Sequence, residues 1–193
     1  AQKHNAQGVL LTSWGDCGNH QPWASLYPPL LYGAAKAWNN QSIDEREVID
    51  GIGKLVCGNQ SKDDHSAMIE LGKLDRFLGS DIPNTSLCWH LLFAPLPDKL
   101  VAHIHQNHTT EQFKEGISLL QSIQQSISIR STHSKSKLIE EEVSLGIKLS
   151  TIALEKGIAL LEGNQVPKLH QENELFSTYE ELWLVRARPG GLS

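Results

Sequence analysis

Residues 138–161 carry the longest helical pattern in the chain, with apolar side chains at Val143, Leu145, Ile147, Leu149, Ile152, Leu154, Ile158 and Leu161. Such a helix needs a partner for its apolar face, because packing rather than propensity supplies most helical stability in water. The segment before it offers one. Thr109, Thr110 and Glu111 form a cap signal that opens a helix over Phe113, Ile117, Leu120, Ile123 and Ile127. The polar residues 131–134 fit a turn between the two, so an antiparallel helical hairpin is expected.

The same reading extends to the rest of the chain. Pro28 and Pro29 suit a first helical turn, followed by an apolar face of Leu30, Leu31, Ala34, Ala35 and Trp38. Ser42 and Glu45 have capping-box spacing ahead of a stripe at Val48, Ile49, Ile52, Leu55 and Val56. Residues 63–78 predict one helix stopped by Gly79, with Met68, Leu71, Leu74, Phe77 and Leu78 inward. Pro83, Pro95 and Pro97 interrupt the next stretch, which leaves residues 87–93 as a short helix or an extended piece. Helical pattern resumes at Pro97 with Leu100, Val101 and Ile104. Gly163 and Asn164 cap the long helix, and residues 171–186 predict a last one carrying Leu175, Phe176, Tyr179, Leu182 and Trp183.

The N-terminal stretch departs from this pattern. Residues 1–7 read as the tail of a helix. Val9 to Leu11 then form a short apolar run, opened by Gly8 and closed by a glycine-punctuated loop, as in a buried strand. The expected fold class is mainly α, a helical bundle-like domain preceded by one strand. Loops just past a strand's carboxyl end carry ligand contacts in α/β folds, which singles out Trp14, Asp16, Asn19, His20 and Gln21. An indole face suits the C–H face of a pyranose, and a carboxylate two residues on accepts hydrogen bonds from two adjacent hydroxyls. The same two residues also fit a core tryptophan and a turn or cap aspartate.

Gly8-Val9-Leu10-Leu11-Thr12-Ser13-Trp14-Gly15-Asp16-Cys17-Gly18-Asn19-His20-Gln21, followed by Tyr27-Pro28-Pro29-Leu30-Leu31-Tyr32-Gly33-Ala34-Ala35-Lys36-Ala37-Trp38, resembles a known pattern. It is the last barrel strand and following helix of family 20 glycoside hydrolases, the exo-β-N-acetylhexosaminidases. Glu181-Leu182-Trp183-Leu184-Val185-Arg186-Ala187-Arg188-Pro189-Gly190-Gly191-Leu192 is similar to a segment near the C-terminus of a bacterial branch of that family. In that branch a helical domain follows the barrel. The resemblance implies that residues 1–40 are the final strand and helix of a (β/α)8 barrel, and residues 41–193 an α-helical C-terminal domain. It implies that Trp14 lines the pocket of a terminal β-linked N-acetylhexosamine and that Asp16 holds its outer hydroxyls, where other branches usually carry Glu. The family's catalytic pair is an adjacent Asp-Glu after a His-x-Gly-Gly stretch on an earlier strand. That motif is absent here, so the chain supplies pocket residues and no catalytic one. Its partners would be the sugar and the rest of the barrel. The alternative is a non-catalytic helical interaction or dimerisation module, and a homodimer is expected from the surplus of apolar helix positions.

Other chemistry finds little footing. The 193 residues fall short of the ~250 of a complete barrel, and a net charge of −5 without basic runs argues against a nucleic-acid surface. No apolar stretch approaches bilayer length. Residues 1–5 lack both a start methionine and a signal core, which suggests a chain that begins inside a longer protein. Cys17, Cys57 and Cys88 are widely spaced, fitting a reducing, cytoplasmic compartment rather than a disulfide framework or zinc knuckle. His103, His105, His108 and Glu111 read as a solvated helix face with poor metal spacing, and neither metal nor cofactor is expected. Asp44 and Glu45 read as acids at a helix start, and Glu140, Glu141, Glu142, Glu180 and Glu181 as solvated helix faces.

Overall fold

The structure, a computed structural model, describes residues 2–14, 21–38, 42–57, 63–80, 82, 85–93, 95–127, 134–164 and 172–189. Among these the chain is mainly helical: α1 Tyr27–Trp38, α2 Glu45–Leu55, α3 Asp63–Gly72, α4 Leu74–Leu78, α5 Leu87–Phe93, α6 Asp98–Asn107, α7 Thr110–Ser126, α8 Ser134–Leu161 and α9 Glu172–Arg186. Short 3₁₀ turns cover Gln2–His4 and Trp23–Leu26.

The α7–α8 hairpin is present and antiparallel. Gln124 of α7 donates to Ser144 near the start of α8, while Gly116 faces Leu154 and Gly157 faces Phe113 near the other end. Phe113, Leu120 and Ile123 are buried against Ile139, Val143, Ile147 and Leu154. The apolar positions of α8 do not form one stripe. Leu145, Leu149 and Ile152 lie on a second buried face, where Leu175 of α9 covers them. A helix apolar on two faces belongs inside a structure, and α8 packs against α3, α5, α7, α9 and the 3₁₀ turn Trp23–Leu26. On the far side Val48, Ile52, Met68, Leu74, Leu87 and Ile104 extend the same core.

Local chemistry explains the ends of the elements. Thr109 caps α7, accepting from the Gln112 amide at 3.1 Å. Gly163, at φ 68°, ends α8 with its amide on Leu160 and the Asn164 amide on Ala159. Gly79 ends α4 in the same left-handed conformation.

Four expectations need correction. The capping box of α2 is two residues later than Ser42–Glu45: Asp44 accepts from the Glu47 amide and Glu47 accepts from the Asp44 amide, each at 2.9 Å. A carboxylate is the stronger acceptor at the positive end of a helix, and Asp44 takes that position. The single helix expected over residues 63–78 is broken at Lys73 into α3 and α4. Only the 3₁₀ turn Gln2–His4 forms where a helix tail was read in residues 1–7. No strand is seen at Val9 to Leu11 among the described residues, and Val9, Leu10 and Leu11 are exposed. A strand exists only through ladder partners, and the described residues hold no neighbouring strand to supply them.

No helix among the described residues is long and apolar enough to cross a membrane.

Candidate functional site

Leu11 holds the N-terminal segment against α1. Its side chain lies over Gly33, where a Cβ would sit 2.4 Å from a Leu11 methyl, so a larger residue there would push the Leu11 side chain aside. Three residues on, Trp14 is 78% exposed and its indole N–H donates to the Thr12 hydroxyl at 3.1 Å. Trp14 is therefore not a core residue. Its N–H is satisfied and its ring meets solvent, the condition a stacking platform needs. Asp16, Cys17, Asn19 and His20 lie outside the described residues. Gln21 resumes the chain, and Pro22 turns it into α1, its carbonyl accepting from the amide of Ser25 at 3.0 Å and its hydroxyl at 2.7 Å.

Beneath this turn is a charge that periodicity misassigned. Glu142 is buried at 2% exposure, although the three acids from Glu140 read as a solvated face. Of the three, Glu141 alone is exposed, 3.6 Å from Lys137, and Glu140 is buried. A buried carboxylate persists only when its oxygens are paired. Arg186 of α9 does this with a two-pronged contact, Nε to Oε1 and Nη2 to Oε2 at 2.9 Å, and the Ala24 amide donates to Oε2 at 3.1 Å. The guanidinium also lies 5.9 Å from the centre of the Tyr27 ring. The carboxylate hydrogen bonds push Arg186 above its ordinary pKa. The sequence held a signal for this: Glu142 stands on the face that continues through Leu145, Leu149 and Ile152.

A narrow cleft of about 20 Å³ opens beside Glu142, bordered by Gln21, Trp23, Tyr179, Leu182 and Trp183. That is room for one water. Tyr179 and Trp183 stack at 6.2 Å between centroids, and the Trp183 indole N–H donates to the Arg188 carbonyl at 3.1 Å. Burial raises the Tyr179 phenol above its ordinary value. A larger groove of about 530 Å³ lies between α7, α8 and α9, with Gln121, Gln125, Lys148, Glu155 and Glu174 at its walls and Ile152 in its floor. These charged groups are exposed, and the Thr151 and Thr178 hydroxyls are turned onto backbone carbonyls of their own helices.

The remaining candidates resolve into structural roles. Asp44 is spent on its capping box and Glu45 on Lys73, at 2.8 Å. His108 does not stand on a solvated helix face: it ends α6, its ring stacked on Phe113 at 5.4 Å and its Nδ1 3.1 Å from the Gln112 side-chain carbonyl. No group of three or more metal-ligating side chains converges among the described residues. Cys57 is buried, and burial pushes the Cys88 thiol up to about 12, which makes it a poor nucleophile.

No protein-family model, curated protein or solved structure matches the chain.

Proposed function

We propose that this chain is the C-terminal part of a cytoplasmic glycoside hydrolase that removes terminal β-linked N-acetylhexosamine. Residues 1–40 would complete its (β/α)8 barrel and residues 41–193 form the helical domain behind it. One observation supports this above others. The two segments whose sequences resemble the family, far apart in the chain, border one cleft: Gln21 on one side, Leu182 and Trp183 on the other. Exposure of Val9, Leu10 and Trp14 also suits a segment whose neighbours are further barrel strands.

In this reading Trp14 stacks on the apolar face of the sugar, and Asp16 accepts hydrogen bonds from its outer hydroxyls. The general acid and the carboxylate that orients the acetamido nucleophile come from an earlier strand. This chain alone should therefore release no 4-nitrophenol from its N-acetyl-β-glucosaminide. Turnover by the isolated chain that disappears on replacing Asp44 or Glu45 would overturn that division of labour.

The positive test uses the protein encoded with its upstream region. It should carry the His-x-Gly-Gly-Asp-Glu motif and hydrolyse 4-nitrophenyl N-acetyl-β-glucosaminide. Trp14→Ala removes about 1.5–3 kcal/mol of apolar burial, which lowers kcat/KM roughly ten- to a hundredfold. Asp16→Ala should erode discrimination between gluco and galacto epimers. An upstream region of different architecture, or wild-type kcat/KM on both epimers in Asp16→Ala, refutes the assignment.

A further inference from the structure

The groove between α7, α8 and α9 has no part in the glycosidase reading, yet its walls are polarised along their length. Lys148 and Glu155 both line it from α8, seven residues apart, which sets them on one face of the helix about 10 Å from each other along its axis. Helix α9 runs antiparallel to α8: Arg186, at its end, reaches Glu142, whereas Leu175, near its start, lines the groove with Ile152. Glu174 therefore stands at the Glu155 end. On the opposite wall Gln124 meets Ser144, which sets Gln121 and Gln125 towards the Lys148 end. Among the described residues none of Lys148, Glu155 and Glu174 has an ion-pair partner. Between these charged ends the floor is apolar, formed by Ile152 and Leu175, and the space of about 530 Å³ is of the size that holds small ligands.

We propose that this groove binds a short zwitterionic peptide, with its ammonium group at Glu155 and Glu174 and its carboxylate at Lys148. The lengths agree, since three extended residues span up to about 10 Å, the distance between the two charged ends. A central apolar side chain then rests on Ile152 and Leu175. Gln121 and Gln125 serve the carboxylate end, because a primary amide donates to a carboxylate and also pairs with a peptide N–H or carbonyl. A free amino acid is too short to reach both ends, and a polyanion meets two carboxylates of its own sign. The charges that hold the peptide are exposed, so binding is weak and falls with salt.

The test titrates the full chain with the tripeptide Ala-Leu-Ala at low ionic strength, followed by calorimetry and by amide chemical shifts. Binding should saturate with a Kd of about 1 mM or below, and the shifts should centre on Ile152 and Leu175. Acetylating the peptide's N-terminus, or amidating its C-terminus, should each weaken binding about two- to fivefold, the range of an exposed charge contact. The protein's charges are then matched to the peptide's ends. Glu155→Gln with Glu174→Gln should abolish the preference for a free N-terminus and keep that for a free C-terminus, and Lys148→Gln should do the reverse. All three side chains are exposed, so these variants keep the fold. No saturation by about 10 mM peptide overturns the proposal. So does equal affinity for the blocked peptides, which would leave the groove walls as solvated charges, and so do shifts that map away from the groove. None of these outcomes bears on Trp14 or Asp16.

Discussion

Glu140, Glu141 and Glu142 are consecutive, yet Glu141 alone meets solvent, because successive helical residues point about 100° apart and α8 is enclosed on more than one side. At this scale the sharpest prediction concerns Cys88. Burial, with a smaller contribution from Asp75, holds its thiol at about 12 against 9.0 for an ordinary one. The folded state therefore favours the protonated thiol. Stability from this group is complete below pH 9 and is lost as pH rises towards 12, by up to about 1.4 kcal/mol per pH unit. Urea midpoints should fall across that window, and Cys88→Ala should flatten the fall. Tyr179 and Lys73, also raised, act in the same direction. Equal slopes in both proteins would show that the thiol is not held in this way.

Helix α8 depends on close approach at two glycines. A Cβ at Gly157 would lie 2.6 Å from the Phe113 ring, and one at Gly116 would lie 2.8 Å from a Leu154 methyl. Phe113 is completely buried beneath His108, so its ring has nowhere to move. Gly157→Val should cost about 1–3 kcal/mol through overpacking. Gly51 in α2 has open space where its Cβ would stand, and Gly51→Ala should add up to about 1 kcal/mol of helix propensity. Urea unfolding followed by circular dichroism separates the two; equal effects would mean that α7 and α8 are not packed this closely. Asp44→Ala, which removes the α2 cap, should cost about 1 kcal/mol in the same experiment.

For the molecule as a whole, α9 alters the argument for self-association. Surplus apolar positions on α8 suggested a second chain, but Leu175 and α9 cover Leu145, Leu149 and Ile152 within this one. Apolar surface stays uncovered at other places, among them Val9, Leu10, Trp14, Leu55, Val185 and, at 94% exposure, Trp38. A second copy of the chain would bury it. The isolated chain is expected to dimerise or assemble further, and Leu10→Ser with Trp38→Ser should lower its mass by light scattering. A monomer at high concentration, unchanged by these substitutions, would count against a sticky face there.

Periodicity placed most of the helices, because apolar spacing, the glycine stops at Gly79 and Gly163 and the Thr109 cap act within a turn or two of chain, but it missed the break at Lys73 and read a helix tail where only a 3₁₀ turn forms. The α7–α8 hairpin was legible for the same reason, two adjacent stripes joined by a short polar turn. Which acid caps α2 was less so, since Ser42 and Asp44 compete and only the backbone path selects Asp44. The burial of Glu142 needed residues 44 positions apart to meet, and no local pattern records that Arg186 would arrive. The strand read at Val9 to Leu11 fails for the converse reason. Its apolar run is local, but a strand is completed by hydrogen bonds to other strands, and no strand forms among the described residues.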